Sequence, residues 1–270
     1  MTQGQSLLRM FRAAFGVSTS TMLVYRANVF FFLGFEVLFL SAQFLSVKVG
    51  FDLAGGEIAG WTREQVFFLT AVNGLSHQIF ICFFINPIFN LQTQVWNGQF
   101  DYLLLKPIHP LLSMLFHGQF AVSNLPTALV NLVAVAFFFF AGAAPVSATQ
   151  IIAFTPFFLV GVAVRVALGV LCMAPVFLSE RLTDTEEAFW SLASLGKYPL
   201  SIFPRGVELA LTFVIPVGMM AALPATVLYR PGGALGTMAV AFAASLLFTV
   251  LSVRIFRLAL RRYQSVNSGV

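Results

Sequence analysis

Six times between residues 27 and 258 the chain returns to an apolar run long enough to cross a bilayer, and this limits its fold more than any other feature. The runs cover roughly 27–47, 64–85, 111–140, 150–178, 207–228 and 234–258. A hydrocarbon layer about 30 Å thick needs about 20 residues of helix. With no water in that layer, backbone N–H and C=O groups must bond within the segment, so runs of this length are expected to be helices. The third and fourth runs exceed the need and are expected to tilt or to include an interfacial turn. Segment 188–204 is also apolar, but Gly196, Lys197, Pro199 and Pro204 interrupt it. It reads as an interfacial or re-entrant element rather than a crossing, with five or seven crossings as alternatives to six.

Charge supports the same class. Only 9% of residues are charged and 59% are hydrophobic, where a soluble domain carries about 25% charged residues. An ordinary globular enzyme, a nucleic-acid-binding domain and a disordered chain are excluded on that ground, although the net charge is +5. The basic residues sit at segment ends and therefore orient the chain. With the N-terminus inside, Arg9, Arg12, Arg26, Lys106, Arg181, Lys197, Arg205, Arg254, Arg257, Arg261 and Arg262 fall on the cytoplasmic side. Lys48, Arg63 and Arg230 fall outside, and Arg165 lies within a span. Both termini are accordingly expected in the cytoplasm, with Trp61 as an aromatic anchor at the outer interface.

The first 25 residues lack the apolar core and cleavage site of a secretory signal. Leu7, Leu8, Phe11 and Phe15 recur at helical spacing opposite Arg9 and Arg12, which predicts an amphipathic interfacial helix over 1–25. No soluble domain interrupts the single transmembrane domain, 1–270. Its largest polar interruptions, 86–110 and 179–206, are both expected to be cytoplasmic. No G-x-x-x-x-G-K-[ST] pattern occurs, so any nucleotide hydrolysis by that route belongs to another polypeptide. Cys82 and Cys172 lie in apolar runs and read as small buried side chains.

Segment 86–110 is the most informative. Pro87 suits the first turn of a helix. Ile88, Leu91, Val95 and Trp96 then form an apolar stripe opposite Asn90, Gln94 and Asn97. Gly98 suits the helix end, and Pro107 and Pro110 block its continuation. Such a helix docks on a partner's groove or serves as a plain connector. Glu36 and Arg165 fall near the middle of two spans, where an unpaired charge costs at least about 2.5–3.5 kcal/mol. They are expected to pair with each other, locking the helices, or to face a polar translocation path.

Other features carry less. Glu208 beside Arg205 reads as a solvated helix-end charge. Glu180, Asp184, Glu186 and Glu187 with Arg181 read as a wet loop, or as a contact for a basic partner surface. Pro199, Pro204, Pro216 and Pro224 kink packed helices or act as hinges. Ser194-x-x-Lys197 has nucleophile–base spacing but no third partner, and His77, His109 and His117 lack metal-ligand spacing, so no catalytic residue or metal ligand is expected. Gly232-x-x-x-Gly236 begins at Pro231 and reads as a turn. Phe137 to Phe140 read as lipid-facing or packing residues.

Asn97-Gly-Gln-Phe-Asp-Tyr-Leu-Leu-Leu-Lys-Pro-Ile-His-Pro-Leu111 resembles the "G-x-(L/F)-D-x-x-L-L-(R/K)-P-x-x-P" segment of ABC-2-type permeases, specifically a subfamily of uncharacterised ABC transport permeases. Tyr198-Pro-Leu-Ser-Ile-Phe-Pro204, Phe213-Val-Ile-Pro216 and Leu223-Pro-Ala225 resemble further stretches in the same order. Arg262-Tyr-Gln-Ser265 is similar to the closing "R-Y-x-S-x-G", although Val266-Asn267-Ser268 delays the glycine to Gly269.

The resemblance implies an all-α polytopic permease of about six transmembrane helices with an ABC-2, type V exporter-like domain in the inner (plasma) membrane. It implies two copies of a cytoplasmic ABC ATPase as partners, and a second permease, identical or paralogous. ATP and magnesium would then belong to the ATPase, with no cofactor and no nucleic acid on this chain. It places the ATPase-coupling interface at Ile88, Leu91, Val95, Trp96, Gly98, Asp101, Lys106 and Pro107, with 180–205 as a second contact. Polar residues are too few for a deep hydrophilic channel, so the expected cargo is amphiphilic or lipid-like. The alternatives are an ion-gradient-driven secondary transporter, which wants a mid-membrane cation site or inverted repeats, an intramembrane enzyme, and a membrane scaffold or sensor.

Overall fold

The computed structural model describes residues 3–117, 120–141, 147–178, 184–229 and 235–263. Glu180, Arg181, Arg230, Pro231, Gly232, the tail from Gln264 and the His117 side chain lie outside the described residues. Among the described residues helices dominate, and the strands form one two-stranded hairpin.

Five helices form the body: α2 (Arg26–Ala54), α3 (Arg63–Phe83), α8 (Leu125–Ala141), α9 (Ala148–Met173) and α13 (Leu235–Leu260). All are long and apolar enough to span a membrane, α8 together with the turn Val122–Asn124 before it. The chain is thus an all-α polytopic membrane protein. Helix α2 runs seven residues past its expected end and stops at Gly55, whose φ of 80° lets its N–H reach the Phe51 carbonyl. That left-handed conformation is strained for any residue with a Cβ. Strands β1 (Glu57–Ile58) and β2 (Trp61–Thr62) follow, and Thr62 starts α3 through a reciprocal cap with Gln65. Trp61, expected as an interface anchor, is instead buried in the core. The hairpin folds its ring inward, where its large apolar area packs on protein.

Helix α1 (Gln3–Val24) and the end of α13 both lie at the opposite end of the bundle. Helix α1 lays Phe11 against Phe116 and Phe120, and Ser18 Oγ accepts the Phe120 N–H at 2.9 Å. Helices α4 (Ile85–Phe89), α5 (Leu91–Trp96), α6 (Phe100–Leu104) and α7 (Pro110–His117) build this end. The long run 111–140 is therefore not one crossing. Its first turns belong to α7, and the crossing begins at the turn Val122–Asn124.

The second half departs most from the sequence expectation. Helix α10 (Thr185–Ser194) starts at the end carrying the termini, where Thr185 donates to the Met173 sulfur at 3.5 Å. It packs along α9 and meets α3 through its aromatic rings, stacking Phe189 on Phe80 at 4.8 Å and setting Trp190 at a tilt to His77 at 5.5 Å. Two 3-10 turns carry it on to Ser201, which donates to the Ala59 carbonyl in the far hairpin at 3.1 Å. Segment 185–202 thus reaches from one end of the bundle to the other. Gly196 and the prolines break the helix, yet short helical pieces joined end to end still traverse when neighbours cover their exposed backbone.

Segment 207–228, expected as a crossing, enters and leaves at the hairpin end. It comprises α11 (Arg205–Leu209), a π-helical stretch over Ala210–Val214, a 3-10 turn over Val217–Met220 and α12 (Ala222–Tyr229). Ile215 and Pro216 leave helical geometry and turn the chain. The Val217–Met220 turn packs on Gly161, midway along α9, while α12 returns to place the Leu228 carbonyl on Gln150 Nε2 at 2.9 Å. Gly196 receives the Val217 carbonyl in the same way.

Candidate functional site

Helix α3 turns one polar stripe out of the apolar core. Thr70, Asn73, Gly74, His77, Gln78 and Ile81 share a face at the i, i+3, i+4 spacing of a helix and floor a groove of about 760 Å³. Phe32, Phe35, Glu36 and Phe39 of α2 form one wall. Trp190, Ser194, Lys197 and Tyr198 form another, with Arg165 of α9 beneath. The Lys197 ammonium lies 5.0 Å from the centre of the Tyr198 ring.

Glu36 and Arg165 both line this groove but do not pair. Glu36, 8% exposed, accepts from Gln78 Nε2 and Asn131 Nδ2, each at 2.6 Å. Thr127 Oγ1 donates to Gln78 Oε1 at 2.9 Å, so α2, α3 and α8 share one polar network. Arg165, 2% exposed, donates from Nε to Ser76 Oγ at 3.1 Å and from Nη2 to Asn73 Oδ1 at 2.8 Å. Ion pairs join Arg63 to Asp52 and Glu64, and Arg205 to Glu208. The two buried charges are held by neutral side chains on opposite flanks of α3, so the expected direct pair is not formed. Buried polar groups need partners, and α3 supplies them where a countercharge is lacking. The stripe Thr70, Asn73, His77, Gln78 was present in the sequence at 3-4-1 spacing, and its polarity within an apolar span is the signal that marks it.

The 86–110 segment is arranged differently from its expectation. Ile88 and Leu91 are fully buried and Val95 nearly so, with the Ile88 side chain against Gly169 of α9. The apolar stripe therefore docks on this chain's own body and is unavailable to a partner. Periodicity tells which residues share a face, not what covers that face. Exposed instead are Trp96 (43%), Tyr102 and Leu105 (81%). Gly98, with φ of 67°, makes the turn between α5 and α6. Lys106 and Pro107 follow α6, and partial burial lowers the Lys106 ammonium below its ordinary value.

Two motifs 150 residues apart in the sequence meet here. Phe100 meets Phe177 at a tilt at 5.1 Å and Tyr263 edge to face at 5.7 Å. Burial and the neighbouring Asp101 carboxylate push the Tyr263 phenol up to about 12. Arg257 Nε donates to His109 Nε2 at 2.6 Å, and burial together with that guanidinium holds His109 below its ordinary value. The end of α13 is thereby clamped to the 98–109 segment.

Set beside known protein families, residues 37–267 match the model described as "ABC-2 family transporter protein". No curated protein matches the chain, and no solved structure does.

Proposed function

This chain belongs to the ABC-2 transporter family and is a multi-pass permease subunit of an ABC transporter, and from that premise we propose that it exports an amphiphilic or lipid-like molecule across the inner (plasma) membrane, driven by two copies of a separate cytoplasmic ATPase. The observation that carries the cargo class is the groove. Its floor is polar, its α2 wall is a row of phenylalanines, and it lies within the spanning region. A molecule with a polar head and an apolar tail matches both surfaces at once.

Both termini are assigned to the cytoplasm. Arg9, Arg12, Arg26, Lys106, Arg254, Arg257, Arg261 and Arg262 belong to the end that carries them, against Lys48, Arg63 and Arg205 toward the hairpin end. The ATPase is assigned to that same end, on the exposed Trp96, Tyr102 and Leu105. A second permease, identical or paralogous, would complete the dimer whose alternation moves the cargo.

The test is copurification. Trp96→Glu combined with Leu105→Glu should release the ATPase from the detergent-solubilised complex while the permease keeps its melting temperature. An ATPase retained at wild-type stoichiometry removes this docking surface. Cargo export that persists under an ion gradient with no ATPase attached removes the ABC mechanism.

A further inference from the structure

The groove holds a carboxyl and a guanidinium that meet neutral partners instead of each other. Glu36 is met by two amide NH₂ groups, Arg165 by a hydroxyl and an amide oxygen, and α3 stands between them. Neutral dipoles replace only part of the hydration that a buried ion loses, and the deficit is repaid when an opposite charge arrives. Lys197, exposed on the α10 side, adds a second cation to the same groove. The site therefore offers one anionic pole and a stronger cationic pole, and the open Phe32, Phe35, Phe39 wall runs beside the anionic one.

We propose that this groove binds a zwitterionic amphiphile, with its ammonium at Glu36, its phosphate or other anionic group at Arg165 and Lys197, and its apolar tail along Phe32, Phe35 and Phe39. The assignment rests on the groove being the cargo site of the exporter. An ammonium beside a carboxylate and aromatic rings gains from both. A molecule with a single charge satisfies one pole and leaves the other bare, which is the basis for selectivity. Two sources share this chemistry, a two-chain membrane phospholipid and a single-chain amphiphile.

The experiment uses the full chain with whatever copurifies, in an uncharged maltoside detergent, with binding read by native mass spectrometry. The probes share a twelve-carbon tail: dodecylphosphocholine, dodecyl phosphate and dodecyltrimethylammonium. Dodecylphosphocholine should bind about tenfold more tightly than either probe carrying charge of one sign only, the factor carried by one charge-assisted contact. Glu36→Gln should weaken dodecylphosphocholine and dodecyltrimethylammonium by about that factor and spare dodecyl phosphate. Lys197→Gln, on an exposed residue and safe for folding, should weaken the two phosphate probes and spare the cation.

Equal binding of all three probes, or wild-type binding of dodecylphosphocholine by both variants, overturns the proposal. Dioleoylphosphatidylethanolamine in the same preparation separates the sources. Retention that Glu36→Gln abolishes supports a bilayer lipid, and binding of the single-chain probe alone supports a soluble amphiphile. Binding needs no ATP, so failures are separable. A zwitterion held by a chain that recruits no ATPase leaves the site standing and removes export, and a copurifying ATPase without zwitterion preference does the reverse.

Discussion

Replacing Gly161 with Ala tests the seat of the re-entrant segment. A Cβ at 161 would overlap the carbonyl oxygen of Met219 and would lie 3.1 Å from the Met219 carbonyl carbon and 3.2 Å from the Met220 Cα. All three atoms are backbone, so no rotamer change relieves the clash, and either α9 or the Val217–Met220 turn must move. Overpacking of this kind costs about 1–3 kcal/mol, and the severity of the overlap puts Gly161 at the upper end. Alanine recovers about 1 kcal/mol of helix propensity, which leaves a net loss of about 2 kcal/mol. At about 2–4 °C per kcal/mol for a chain of this size, the melting temperature should fall by about 4–8 °C. Intrinsic-fluorescence melting of the detergent-solubilised protein measures it. Gly34→Ala is the control, because a Cβ there meets nothing within 4 Å, and it should leave the melting temperature unchanged or raise it. A Gly161→Ala protein that melts with the wild type, or a Gly34→Ala protein that falls equally, would refute the placement of the 217–220 turn against α9.

Asn131→Leu removes one of the two donors to the Glu36 carboxylate and should cost about 1–3 kcal/mol. Combining it with Glu36→Gln should cost clearly less than the sum of the single changes, and additivity within about 0.5 kcal/mol would dissolve the network. His109 should make stability fall on acidification. Its folded-state pKa is held below the ordinary 6.5 by burial and Arg257, so its contribution is intact above 6.5 and is lost progressively as pH falls from there through the lower folded-state value. Melting between pH 7.5 and 5.5 should show a drop that His109→Gln reduces, and an unchanged slope would mean the Arg257 bond does not form.

The sequence by itself determined the class and most of the crossings. Apolar runs at 27–47, 64–85, 150–178 and 234–258 return as α2, α3, α9 and α13, because a bilayer leaves a run of that length one way to satisfy its backbone. The motif order from Asn97 to Tyr263 carried the family. Tertiary structure decided what hydropathy does not encode. Segments 188–204 and 207–228 are similarly apolar, yet the first runs the length of the bundle and the second returns to the end it started from. Ser201 reaches the far hairpin because α10 finds α9 to pack on and the rings of α3 to rest against, while Pro216 and the small seats at Gly161 and Gly196 fold the following segment back on itself. The stripe of Ile88, Leu91 and Val95 was legible as a face, yet only the packed chain shows α9 covering it. Glu36 and Arg165 were legible as buried charges, but their separation depends on which flank of α3 each helix meets, and such long-range placement leaves no trace in local pattern.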